Sequence, residues 1–142
     1  MLTEFIFYIF SYDIWFYISH LLLHTKHGYR LIHKHHHAVD YDTMNWKDTY
    51  VSHVVEGPLQ GIGLVAPLAF VDFDFYTFGA ALLFVNVRGM LRHDLRFVWL
   101  IGNHHLLHHK YPQHNFGEHW LDKFFRTGII DETKYKKGLL YM

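Results

Sequence analysis

The feature that most constrains this chain is a set of three apolar stretches, each of which needs burial in a protein core or a lipid bilayer. They cover residues 4–23, 54–71 and 75–87. A membrane-spanning helix needs about 20 mostly apolar residues. The first stretch nearly reaches that length, while the other two are shorter and would need tilt or flanking residues to span. The first also lacks the basic leading region and small-residue cleavage site of a signal peptide.

The distribution of lysine and arginine distinguishes a membrane protein from a soluble one. Neither residue occurs in residues 1–25 or 48–87, whereas both are common after the first and third apolar stretches. The short segment between the second and third stretches carries Asp72 and Asp74 instead. If the stretches span a bilayer, every basic residue lies on one side, as the positive-inside rule requires. We therefore predict a multi-pass integral membrane protein with its N-terminus outside.

Composition limits the remaining function classes. The 142 residues suit a single domain, residues 1–142. Thirteen basic and 13 acidic residues balance, which argues against a nucleic-acid partner. Cysteine is absent, so disulfides, thiolate zinc sites and iron–sulfur clusters are excluded. Any electrons that the protein uses come from an external donor or from a metal centre without thiolates.

Most of the 15 histidines fall into three short groups at the edges of the apolar stretches. One is a pair four residues apart, and two are trios with i, i+3, i+4 spacing. Such positions share one face of a helix, so each trio is predicted to aim three imidazoles at one point. His93 follows the third apolar stretch alone. The nine candidate metal ligands are His20, His24, His33, His36, His37, His93, His105, His108 and His109.

The number of candidate ligands predicts two metal ions. Packed imidazoles without a metal compete for hydrogen-bond partners and repel one another when protonated. A zinc site takes three or four protein ligands, so nine nitrogens suit two metals with four or five ligands each. Imidazole binds zinc, copper, iron and nickel, and the spacing does not choose among them. His27, His53 and His119 stand outside this pattern and are predicted to be ordinary interfacial residues.

The histidine groups together resemble the fatty acid hydroxylase/sterol desaturase superfamily of membrane di-iron enzymes, especially its sterol C5-desaturase-like members. The family pattern HxxxH, HxxHH and HxxHH is matched by HLLLH, HKHHH and HLLHH. The segments SHVVEGPLQ, FVNVRGMLRHD and HHLLHHKYPQHNFGEHWLDKFFRTG are also similar to family segments, so the resemblance covers roughly residues 13–128. The chain is a short form. Where the family often has a further HxxxH, only His93 is present, with Gly89 four residues before it.

The resemblance implies an activity, cofactors and partners. Two iron ions, with zinc as a possible substitute, would activate O2 to hydroxylate or desaturate a C–H bond of a lipid or sterol. Cytochrome b5 or a ferredoxin-type protein would supply electrons. The expected fold is all-α, with about three membrane-embedded helices and a His-rich helical cap on the cytosolic side of the endoplasmic reticulum or bacterial inner membrane. A homo-oligomer would help so small a chain to complete its lipid pocket. Asp40, Asp42, Asp94, Asn115 and Glu118 are considered as hydrogen-bond acceptors for the ligands, but a structural role is expected for each.

Three alternatives remain open at the level of sequence. The protein could be a non-catalytic His-rich metal-binding membrane protein, a bis-His haem protein, or an inactive relative in which Gly89 replaces a needed ligand. Iron content and O2 consumption separate the first and third from an active enzyme. A Soret band would identify haem.

Overall fold

The structure, a computed structural model, describes residues 1–140, and within that range it contains helices and no strand. This confirms the all-α prediction. The α-helices are α1 (Leu2–Leu23), α2 (Lys26–Leu31), α3 (Glu56–Val65), α4 (Phe75–Arg92), α5 (Val98–Ile101), α6 (His104–Lys110) and α7 (His119–Phe125). Short 3-10 helices cover His33–Ala38, Tyr41–Thr43, Trp46–Tyr50, Ala66–Ala69, Leu95–Phe97 and Glu132–Lys134.

The three apolar stretches form α1, α3 and α4, and α1 packs against the other two. Their shared core contains the buried side chains of Tyr8, Leu64, Ala81 and Val85. Helix α3 approaches α1 closely at Gly63, where an added Cβ would lie 2.6 Å from the Cβ of Trp15. The Trp15 indole N–H also donates to the carbonyl of Leu59 at 2.7 Å. The small residue in α3 thus allows the contact that brings α1 and α3 together.

Within residues 1–140, α1 alone is long and apolar enough to cross a membrane by length and composition. Helix α3 has 10 residues before the 3-10 helix Ala66–Ala69. Helix α4 has 18 residues, but its last two turns carry Asn86, Arg88 and Arg92. The prediction of about three membrane-embedded helices is therefore not confirmed, because the second and third apolar stretches form elements that are too short or too polar for this criterion.

A buried network of charges joins the two long helices to the segment before α7. Arg88 of α4 donates to both carboxylate oxygens of Asp13 in α1. Arg92, one turn further on, donates to Glu118, whose Oε1 also lies 3.3 Å from Arg88 Nη1. All four side chains are buried. Because an unpaired buried charge is costly, this network fixes the alignment of α1 against α4.

The chain reverses just after α1, which places the first two histidine groups side by side. The turn occurs at His24 and Thr25, and Gly28 lies inside α2. The hydroxyl of Thr25 caps α2 by accepting from the Gly28 amide at 3.3 Å. A Cβ at Gly28 would lie 2.5 Å from the Leu22 carbonyl oxygen, so glycine is needed here because the two helices touch.

Candidate metal centre

Nine histidine side chains meet where α1 and α4 end, in two adjoining groups. The five-histidine group consists of His20, His24, His33, His37 and His108. The four-histidine group consists of His36, His93, His105 and His109. Within each group the ligand-capable atoms all lie within 4.8 Å of one another. These are the nine side chains selected from the sequence, and either group could hold a metal ion.

Each trio divides between the two groups, so the expectation that a trio aims at a single point is wrong. His33 and His37 belong to the five-histidine group, whereas His36 belongs to the other. On α6, His108 separates from His105 and His109 in the same way. Successive side chains of a helix point about 100° apart, so adjacent histidines address two centres. His33–Ala38 is moreover a 3-10 helix, in which the angle is about 120°.

Hydrogen bonds to the outer ring nitrogens fix the tautomers of two members of the four-histidine group. His36 Nδ1 donates to the Val51 carbonyl at 3.0 Å, and His93 Nδ1 donates to the Gly89 carbonyl at 2.8 Å. A carbonyl can only accept, so each neutral ring carries its proton on Nδ1 and a lone pair on Nε2. These two Nε2 atoms face each other at 3.1 Å. Two lone pairs at that distance repel unless a cation binds both.

The five-histidine group repeats this arrangement with one charged acceptor. His20 Nδ1 donates to the Phe116 carbonyl at 2.5 Å, and His33 Nδ1 donates to Glu56 Oε1 at 2.8 Å. The Nε2 atoms of His20 and His33 then face each other at 2.9 Å. His108 is held in the same way, with Nδ1 at 2.6 Å from the His114 carbonyl oxygen. Glu56 is 2% exposed, so its negative charge acts on the site with little screening by water.

Burial keeps five of the imidazoles neutral and therefore able to bind a metal. Desolvation lowers the pKa of His93 to about 3 and the pKa of His37 to about 2, with neighbouring histidines adding to both shifts. The same causes hold the pKa values of His105, His108 and His109 well below 6.5. At neutral pH these rings offer lone pairs and carry no positive charge.

The ring nitrogens fit a metal in two respects, their spacing and their unused hydrogen-bonding capacity. Two nitrogen ligands about 2.1 Å from one cation, at a right angle, lie about 3.0 Å apart. The facing Nε2 atoms of His20 and His33 are separated by 2.9 Å, and those of His36 and His93 by 3.1 Å. Both ring nitrogens of His109 are buried, and neither has a hydrogen-bond partner among residues 1–140. Buried polar atoms are normally satisfied, so a ligand to His109 is expected.

A cavity of about 370 Å³ adjoins the histidines between α1, α3 and α4. Three members of the four-histidine group, His36, His93 and His105, line it, but only His20 does so from the five-histidine group. An apolar groove between α3 and α4 shares Gly61, Leu64 and Leu82 with this cavity. A molecule in the cavity would therefore lie beside the histidines and reach an apolar surface.

The acceptors that support the histidines differ from those considered from the sequence. Among residues 1–140, none of Asp40, Asp42, Asp94, Asn115 and Glu118 hydrogen-bonds to one of the nine rings. Backbone carbonyls and Glu56 hold them instead. The sequence did contain a signal for Glu56, because a single carboxylate within an apolar stretch needs a buried partner. The carbonyls carry no sequence signal.

The three histidines predicted to be ordinary residues lie outside both groups. His27 is exposed on α2. His53 packs its ring 5.9 Å from that of His35 and accepts from the Val55 amide. His119 contacts the rings of His104 and Tyr135.

Comparison with known proteins agrees with this geometry. The sequence profile of the fatty acid hydroxylase family matches residues 5–127, a range that contains all nine histidines. Searches of curated proteins and of solved structures gave no match. Because the profile covers most of the chain, the protein belongs to the fatty acid hydroxylase family.

Proposed function

We propose that the protein is an O2-dependent hydroxylase or desaturase of a lipid or sterol that uses two iron ions. The observation that carries the proposal is the pairing of Nε2 atoms at 2.9 Å and 3.1 Å in two largely buried groups. The opposite nitrogens of these rings are already bound to acceptors, so two cations would relieve two repulsions. Family membership supports a metal-dependent oxidoreductase over a passive metal store.

The proposed role of the chain is to hold the metals and to orient their ligands. The five-histidine group would hold one ion and the four-histidine group the other. When bound, two irons supply O2 activation and the oxidising capacity for an unactivated C–H bond; zinc could occupy the same ligands without redox chemistry. Glu56 and the backbone carbonyls keep Nε2 directed inward, and burial limits water at the site.

The cavity suits part of an amphipathic lipid. Its 370 Å³ lies near the lower end of the 300–1,000 Å³ typical of small-molecule sites, so it would hold the reacting segment and leave the rest outside. The adjoining groove, lined by Pro58, Ile62, Val65 and Phe78, would take the remaining apolar chain. The substrate would thus arrive laterally from the hydrocarbon region.

We further propose that α1 anchors the protein in a multi-pass arrangement with the histidines on the cytosolic side. The absence of Lys and Arg from residues 1–25 and 48–87 supports this orientation. Electrons would come from an external donor of the cytochrome b5 or ferredoxin type, because the chain has no cysteine for an iron–sulfur cluster. A second copy of the chain could complete the lipid pocket.

Elemental analysis and turnover test the proposal together. Detergent-purified protein from iron-supplemented cells should contain two irons per chain. With a reductant, a donor and lipid substrates it should consume O2 and yield a product with one added oxygen or two fewer hydrogens. One zinc or no metal, with no O2 consumption, would instead indicate a binding protein or an inactive relative. A Soret band would indicate haem.

A further inference from the structure

The segment 114–117, between α6 and α7, supports two members of the five-histidine group at once. Its Phe116 carbonyl accepts from His20 Nδ1 at 2.5 Å, and its His114 carbonyl accepts from His108 Nδ1 at 2.6 Å. These two rings come from different helices, α1 and α6. The path of one short segment therefore sets both the tautomer and the orientation of two proposed ligands.

A single carboxylate holds that segment in place. Asp122 on α7 is 1% exposed and accepts hydrogen bonds from the Phe116 and Gly117 amides, both at 2.9 Å. It also accepts from the Thr127 hydroxyl at 2.6 Å and faces His104 Nε2 at 2.9 Å. Four donors thus converge on two oxygens.

The surroundings leave the segment little freedom to move. A Cβ at Gly117 would lie 2.8 Å from the ring of Tyr17, so the backbone is pressed against α1. Asn115 adopts a left-handed conformation with φ of 61°. Its side chain donates to the His104 carbonyl and accepts from the Ile129 amide and the Tyr135 hydroxyl. A movement of the Asp122 side chain would therefore also move the Phe116 carbonyl.

We propose that Asp122 is a positioning residue for the metal bound by the five-histidine group, acting through the Phe116 carbonyl on His20. This inference rests on the proposed function, because it requires that the group bind a metal. The four-histidine group takes its carbonyls from Val51 and Gly89, which lie on other parts of the chain. Loss of the carboxylate therefore weakens one metal site and spares its neighbour.

Cobalt titration of metal-free, detergent-purified protein under anaerobic conditions tests this, with equilibrium dialysis for stoichiometry and visible absorption for coordination. Wild-type protein should bind two Co²⁺ per chain. Asp122→Asn should weaken one site by about 10-fold, the lower end of the effect of losing a direct partner of a metal ligand because Asp122 acts through the Phe116 carbonyl, and leave the other within about twofold. Asp131→Asn is the matched control, because Asp131 is exposed and caps only its own 3-10 helix.

A double variant shows which of the two metal sites Asp122→Asn weakens. His93→Ala removes a member of the four-histidine group, so Asp122→Asn combined with it should bind no Co²⁺ tightly. If Asp122→Asn does not fold, Asn115→Gly gives the test, since glycine accepts the positive φ and removes only the side-chain tethers. It should weaken the same site by a smaller factor.

The possible failures are distinguishable. Wild-type protein that binds no Co²⁺ would overturn the proposed function and this inference with it. Wild-type protein that binds two ions, with variants that bind both at wild-type affinity or lose both equally, would overturn the positioning role alone.

Discussion

Removal of one histidine from either group should remove the metal of that group and leave the other metal bound. His36 belongs to the four-histidine group and His108 to the five-histidine group, although each has an adjacent histidine in the other group. Zinc sites with four protein ligands have apparent binding free energies of about 10–16 kcal/mol, about 2.5–4 kcal/mol per ligand. His36→Ala and His108→Ala should each weaken one site by roughly 10²–10³-fold.

Metal content after dialysis against a weak chelator measures this directly, with wild-type protein and His27→Ala alongside. His27 is exposed and outside both groups, so its variant should keep the wild-type stoichiometry. Each ligand variant should keep one metal per chain, and the double variant none. Equal loss from all three single variants would refute the ligand assignment. Loss of both metals from His36→Ala alone would refute the division into two groups.

Three further measurements test the fold around the site. Glu118→Ala removes an anionic partner from the buried Arg88 and Arg92 and should lower the free energy of unfolding by about 3–5 kcal/mol, seen as a lower melting temperature in detergent. Glu132→Ala is the control, because Glu132 is exposed and its variant should melt close to the wild-type temperature. Metal-free protein should lose stability as pH falls below about 6.5, because the unfolded chain binds protons before the folded chain does. The folded-state pKa values are about 3 for His93 and about 2 for His37, so the free energy of unfolding should fall by about 1.4 kcal/mol per pH unit for each histidine. Unfolding midpoints that do not move with pH would contradict the buried neutral rings. Topology reporters fused at Phe73 and at the C-terminus should lie on opposite sides of the membrane, and the same side for both would contradict the proposed multi-pass arrangement.

The positions of the long helices and the nine histidines could be predicted from the sequence, because both depend on the spacing of residues along short segments. The apolar stretches correspond to α1, α3 and α4, and the i, i+3, i+4 pattern selects the side chains that meet. The sharing of histidines between two centres was not predicted, because same-face spacing predicts one centre for His105, His108 and His109, whereas His108 separates from the other two. Distribution between sites depends on where neighbouring helices end.

The supporting acceptors were beyond sequence reasoning for a different reason. The Phe116, Val51 and Gly89 carbonyls belong to the backbone, and any residue type could supply them. Which carbonyl meets which imidazole depends on the tertiary path of each segment. Gly28 shows the same limit, since glycine is required there because α2 contacts α1, and that contact is not visible in the sequence.

The placement of the histidines at helix ends also helps to balance the charge of the proposed centre. Neutral imidazoles leave the charge of two metal ions unneutralised, and among residues 1–140 Glu56 is the carboxylate that hydrogen-bonds directly to one of the nine rings. His20 and His24 lie at the carboxyl end of α1, and His93 caps the carboxyl end of α4. Each such end carries about half a negative charge from its aligned peptide dipoles. Two long helices that end at one point thus favour cations there, and they explain how a site built almost wholly from uncharged ligands can be buried.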